Sequence, residues 1–227
     1  SLNFIDPDGN IYYRAYGNQN DNKAFGATSQ FGMVYADKIF IMSKQAWDSG
    51  DTRDRGEEPD RSGGRVVVID AKTMKRLASF DEIGGDGRAA VGIEPGKVYL
   101  SHSKGVRVLT WDENDQFTLA DADLPMIQAA TSAHGGTGDM VKAGKYVFAA
   151  ETDKAFHVFD TETDSEVFLI KASKTNGKAQ GTVRTKDGRV WLGCDMTLLP
   201  LDPETFDPSQ YESNTVEFAD FLPEEHI

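Results

Sequence analysis

Apolar residues come in short runs along most of this chain, separated by clusters of Gly, Asp, Asn and Pro. No segment sustains a 3.6-residue apolar period with caps at its ends. That pattern predicts β-strands joined by tight turns and almost no helix. One unit repeats. A Gly-led apolar stretch is followed by a tight turn, a second strand, a third strand ending in an apolar residue and Asp, another turn, and a fourth strand.

The second strands read Lys38–Met42, Lys97–Leu100, Tyr146–Ala150 and Arg189–Gly193. The third strands end at Asp70, Asp112, Asp160 and Asp202, spaced 42, 48 and 42 residues apart. Phe4-Ile5-Asp6 is an earlier copy of the same ending. It lies 64 residues before Asp70, a gap that a polar insertion at 46–63 accounts for. Ala36-Asp37, Pro95-Gly96, Ala143-Gly144 and Asp187-Gly188 fall where first and second strands must turn back on each other. At the third-to-fourth turns an Asp accepts backbone N–H groups two residues on. These acidic turns lack the full spacing of a calcium loop with its distal Glu. Phe4 to Asn10 comes closest, yet it fits a Pro/Gly hairpin turn equally well.

Units of this length, apolar on both faces, must stack on neighbours to bury them. The expected fold is therefore all-β, a propeller of four-stranded antiparallel blades. The whole chain, 1–227, reads as one propeller domain holding a partial first blade and four complete ones at about 28–80, 88–122, 136–170 and 180–218. Four and a half blades leave open sheet edges, a liability. The expectation is a ring with more blades, or one completed by another chain.

Composition narrows the functions. With 227 residues, 39% of them hydrophobic, the chain affords a sizeable core, and its net charge of −13 argues against nucleic acid or anionic lipid as partner. The acid either keeps a β-rich surface soluble or attracts cations. No apolar run reaches membrane-spanning length, and the sequence opens at Ser1 without an initiator methionine, as expected of a chain whose leader was removed or of a piece of a longer chain. Cys194, the single cysteine, rules out an internal disulfide and reads as a small buried hydrophobe.

Gly26–Gly32 with Lys38–Gln45, Gly84–Arg88, Gly138-Asp139-Met140 before Tyr146–Phe148, and Lys186–Trp191 together resemble a known family. It is the YncE-like, YVTN-type seven-bladed propellers that Bacteroidetes carry as exported lipoproteins, and the resemblance runs from about Asn3 to Phe206. It implies a seven-bladed ring, export and a lipid anchor at the cell surface. One branch of the family captures vitamin B12 and related corrinoids and hands them to an outer-membrane transporter. The chain departs from the family in lacking the leader and the last blades, and in carrying the insertion after Gln45.

In a propeller the loops between blades share a face with the second-to-third-strand loops, and that face surrounds the channel mouth, the default site for a ligand. The residues expected to bind there are Gln30, Lys44, Gln45, Trp47, Arg88, His102, His134, Lys154, Gln180 and Asp195. Arg88 serves equally well to satisfy carbonyls in a tight Gly-rich loop, and Trp47 to head a solvated loop. His102 and His134 lack the paired carboxylate a metal site needs. His157 reads as a packed or exposed strand residue, and Trp111 and Trp191 as inter-blade core. The mouth acids would be Asp86, Glu151, Asp153 and Asp195.

No nucleophile elbow, zinc motif, P-loop or dinucleotide fingerprint is present. The expected function is non-enzymatic capture of a polar small molecule, corrinoid-like or glycan, without cofactor or metal. The alternatives are a protein-interaction module of a surface assembly, or a propeller lyase or hydrolase. A binder needs a concave polar mouth, an interaction module an exposed apolar patch, and an enzyme two convergent carboxylates.

Overall fold

The computed structural model describes residues 2–47, 61–128, 130, 137–171, 177–195, 197–211 and 219–220. A hairpin of β1 (Phe4–Ile5) and β2 (Ile11–Tyr12) and a short helix α1 (Ala15–Gln19) precede four antiparallel sheets. The first holds β3 (Ala27–Tyr35), β4 (Lys38–Gln45), β5 (Val66–Asp70) and β6 (Arg76–Phe80). The second holds β7 (Gly87–Glu94), β8 (Lys97–His102), β9 (Gly105–Trp111) and β10 (Phe117–Asp123). The third is built from β11 (Thr137–Ala143), β12 (Tyr146–Glu151), β13 (Ala155–Asp160) and β14 (Ser165–Lys171). The fourth has β15 (Ala179–Arg184), β16 (Val190–Cys194), β17 (Thr197–Leu201) and β18 (Ala219–Asp220). Every sheet pairs its strands in sequence order, and the first strands β3, β7, β11 and β15 follow one another around the axis. This is the expected β-propeller, four blades with little helix.

The turns form for the reasons their residues supply. Ala36 and Asp37 both take positive φ, 47° and 59°, the twist a two-residue hairpin demands. Asp70 Oδ1 accepts from the backbone N–H of Lys72 and Thr73 at 3.1 and 2.6 Å. Asp112 accepts from Asn114, Asp160 from Glu162 and Asp202 from Glu204 at 2.8 to 3.0 Å. Asp6 does the same for Asp8 and Asn10, so β1 and β2 are a fifth copy of the blade ending.

Between blades, one face of each second strand meets the opposite face of the next. Phe40 and Met42 pack on Val98 and Leu100; Tyr99 packs with Val147 and Phe159; Tyr146 and Phe148 pack on Val190, Leu192 and Leu199. Phe40, Tyr99 and Phe148 occupy corresponding places, and each is fully buried. Burial of such a side chain contributes about 1.5–3 kcal/mol. Trp191 is the fourth member of this ladder, and here the structure departs from the sequence expectation of inter-blade core: it is half-buried on the outward face of the fourth blade.

On the other side of the first blade, Tyr16 and Phe25 cover Ile39, Ile41, Val67 and Ile69. Arg76 fastens this cover: Nε donates to the Tyr16 hydroxyl at 2.6 Å, and its terminal nitrogens reach the carbonyls of Ser62 and Ala24. Outside it, Ile5, Tyr12 and Tyr13 of the N-terminal hairpin stand exposed. Most of the 46–63 insertion lies outside the described residues.

Candidate functional site

Each innermost strand breaks register near its start. The pairing shifts between Ser29 and Phe31, between Gly87 and Ala90, between Thr137 and Met140, and between Ala179 and Gly181. A bulge adds a residue to one strand and re-aims side chains off the regular face. The residues inside these four shifts are Gln30, Arg88 with Ala89, Gly138 with Asp139, and Gln180. All but Ala89 line one polar cavity of about 210 Å³, completed by Phe31 and by Thr152 from the turn after β12. Four bulges at one level thus bring four blades to one site.

The walls are held from behind. Ser101 Oγ donates to the Gly138 carbonyl at 3.0 Å, tying the second blade to the third at the cavity floor. Gln180 Nε2 donates to Asp195 at 2.9 Å, and Asp195 also accepts from the Lys178 N–H. Those two hydrogen bonds hold the Asp195 carboxyl below its ordinary value. Arg88 Nη1 donates to Gln30 Oε1 at 3.5 Å, a long contact. Its Nε is buried without a hydrogen-bond partner. An unmet buried donor costs about 1–3 kcal/mol, the kind of cost that gathers where a site is kept ready.

The other residues expected at the mouth lie elsewhere. His102 is fully buried, its Nε2 3.0 Å from Asp123, while its Nδ1 accepts from the Lys104 N–H. Gly84, at φ 100°, presses on that ring; a Cβ there would come within 2.7 Å of it. That packing removes His102 from any ligand's reach. The Lys44 carbonyl accepts from Arg65, which also pairs with Asp86 at 2.9 Å. Gln45 is exposed at the end of β4, and Lys154 is exposed in the turn after β12. Trp47 is half-buried under the Arg61 guanidinium, 4.5 Å from its ring centre. His134 lies outside the described residues. Gln30, Arg88 and Gln180 are therefore the ones brought together, with Asp195 behind Gln180.

The four expected acids do not converge. Asp86 belongs to Arg65, Asp153 to Lys178 at 3.6 Å, and Asp195 to Gln180. Glu151 is buried: its carboxylate lies 3.0 Å from His157 Nε2, and Glu166 lies 2.8 Å from Nδ1 on the other side. Burial disfavours the charged imidazole, yet the hydrogen bonds and charges of the two glutamates outweigh it, so the His157 pKa is raised. This core triad was not legible in the sequence. Asp139 and Thr152 were missed as lining residues, because nothing in a linear pattern marks which polar residue a bulge turns inward.

A second hollow, of about 510 Å³, opens on the fourth blade between Val183, Trp191 and Leu198, with Gly181 and Gly193 as its floor. Gly181 pairs across the strands with Gly193, so the floor has no side chains to fill it.

A family profile described as a domain of unknown function, DUF5074, matches residues 1–220. No curated protein matches the chain. Among solved structures it is similar to a quinoprotein alcohol dehydrogenase-like protein from Bacteroides thetaiotaomicron, with 12% identity, a TM-score of 0.58, and coverage of 98% of this chain and 49% of that one. The computationally designed Ika4 protein aligns at 12% identity and a TM-score of 0.52, over 81% of this chain and 96% of its own. The Cps50 (Swd1) β-propeller domain of Myceliophteria thermophila aligns at 10% identity and 0.52, over 81% and 53%. The chain thus spans about half the length of these two natural proteins, and at such identities the likeness is one of fold.

Proposed function

The chain belongs to the DUF5074 family, and from that premise we propose that it is a non-enzymatic protein that captures a polar small molecule at the propeller mouth. One observation carries this reading: the register shifts of all four inner strands turn Gln30, Arg88, Asp139 and Gln180 into one polar cavity. Regular inner strands would serve the blades' packing as well; bulges that face a common space serve a ligand. At about 210 Å³ the cavity is smaller than pockets that enclose drug-sized molecules, roughly 300–1,000 Å³. It fits a terminal sugar, or one amide side chain of a corrinoid lying across the mouth, rather than a corrin ring.

Calorimetry of the chain against cyanocobalamin and a panel of soluble glycans tests the proposal. Saturable binding weakened at least tenfold by Gln180→Ala supports it. Absence of heat with every class overturns it for these ligands.

The resemblance to YncE-like lipoproteins supports a further part of the same proposal: export, a lipid anchor at the cell surface, and delivery of the ligand to an outer-membrane transporter. Surface digestion of intact cells by an added protease is the check. Protection of the protein under conditions that cleave a known surface protein would overturn the surface location.

The apolar hollow beside Trp191 favours a second reading, a protein-interaction module, since a large exposed apolar depression is unusual on an isolated soluble domain. Replacement of Leu198 by Asp would abolish partner capture under that reading and leave small-molecule binding intact.

A further inference from the structure

Resting on the small-molecule reading, we infer that the cavity selects a dipolar ligand, one carrying a carboxylate for Arg88 and an ammonium or comparable donor for Asp139. Two opposite charges line the same cavity from adjacent blades, Arg88 on β7 and Asp139 on β11. Among the described residues no ion pair joins them to each other or to any third group. Arg65, Arg107 and Arg189 pair with Asp86, Asp123 and Asp187, at 2.9, 2.9 and 2.7 Å. Arg88 has no such carboxylate, and its Nε is buried without a hydrogen-bond partner.

The backbone of Asp139 is fixed independently of its carboxylate. Ser101 holds the carbonyl of Gly138, and Thr182 Oγ1 reaches the Asp139 carbonyl at 3.5 Å. Arg88 is fixed less firmly, by the long contact to Gln30. Hydrogen bonds to ionised groups are about twice as strong as neutral ones, so a ligand satisfying both ends gains from each. Gln30 and Gln180, at the two ends of the row of blades, supply neutral amide contacts to whatever lies between. A volume of about 210 Å³ corresponds to roughly seven waters at about 30 Å³ each. That is room for a small α-amino acid or the terminus of a peptide, and too little for a folded partner.

The experiment titrates the full chain with glycine, alanine and glutamine, and in parallel with acetate, ethylamine and glucose. It is read by calorimetry and by the amide shifts of Gly138 and the Gln180 side chain. The expected result is that amino acids bind more tightly than any single-charge probe. R88Q should then weaken amino acids and acetate at least tenfold and leave ethylamine unchanged, and D139N should do the reverse for ethylamine. The shifts in the unmutated protein report the site even where a variant folds poorly. Glucose or the glycans binding at Gly138 and Gln180, with amino acids no better than acetate, overturns the dipolar inference and keeps the cavity as a binding site. Silence from amino acids, sugars and glycans alike overturns both.

Discussion

His157 Nδ1 sits 2.8 Å from the Glu166 carboxylate, and both side chains are buried in the third blade. Glu166 also accepts from the Ile127 N–H, and its own N–H donates to the Pro125 carbonyl at 2.9 Å. The segment after β10 is therefore fastened to β14 through this one glutamate. Removing the imidazole leaves the Glu151 and Glu166 carboxyl groups buried without the partner they share. His157→Gln should cost about 3–5 kcal/mol, the usual loss on breaking a buried ion pair, read as a lowered urea midpoint.

The same triad fixes a pH dependence. The folded pKa of His157 is raised above its ordinary 6.5, so the stability it contributes is fully present below about pH 6.5 and lost as pH rises through the folded value. Urea unfolding at a series of pH values between 6 and 9 should show this loss in the parent protein and not in His157→Gln. Parallel profiles for the two would mean that the ring is neutral in the fold.

Phe148 and Trp191 hold equivalent places but face different surroundings. Phe148→Ala should cost about 3–5 kcal/mol, as for any large buried aromatic. Trp191→Ala should cost less than that, because Trp191 is half-buried beside the hollow of the fourth blade. Equal losses in thermal or urea unfolding would show that the face beside Trp191 is covered in solution.

Asp70 accepts from two backbone N–H groups and from the Thr73 hydroxyl. Asp70→Ala should cost about 1 kcal/mol, the net worth of a typical hydrogen bond, while Asp70→Asn, which keeps the accepting oxygen, should cost less. The readout is the urea midpoint at neutral pH.

Burial pushes the Cys194 thiol up to about 11, with Asp195 adding to the shift. The thiolate is the reactive form, so a disulfide reagent at pH 8 should label the native protein slowly and the urea-unfolded protein at once. Rapid native labelling would contradict the packing of Cys194 against the third blade.

Much of the architecture is legible because it is local and repeated. The Asx aspartates at 6, 70, 112, 160 and 202 each act within four residues, so their spacing carries the blade length directly. The aromatic of the second strand recurs at Phe40, Tyr99, Phe148 and Trp191 for the same reason. The fate of Trp191 was not legible, since an identical strand position is fully or only half-buried according to its tertiary surroundings.

The site divides in the same way. A reading of loop position picks out Gln30, Arg88 and Gln180 and equally picks out His102, whose ring the structure buries beneath Gly84. It takes Glu151 for a mouth acid, where the register of β12 with β13 and β14 delivers it to His157 in the core.

By itself the sequence determined the class of fold, its four-stranded blades and their turns, because alternation and turn chemistry act over a few residues. The tertiary structure alone decided which polar groups meet. Gln30, Arg88, Asp139 and Gln180 come from different blades, and only the shared axis and a bulge in each inner strand bring them to one cavity.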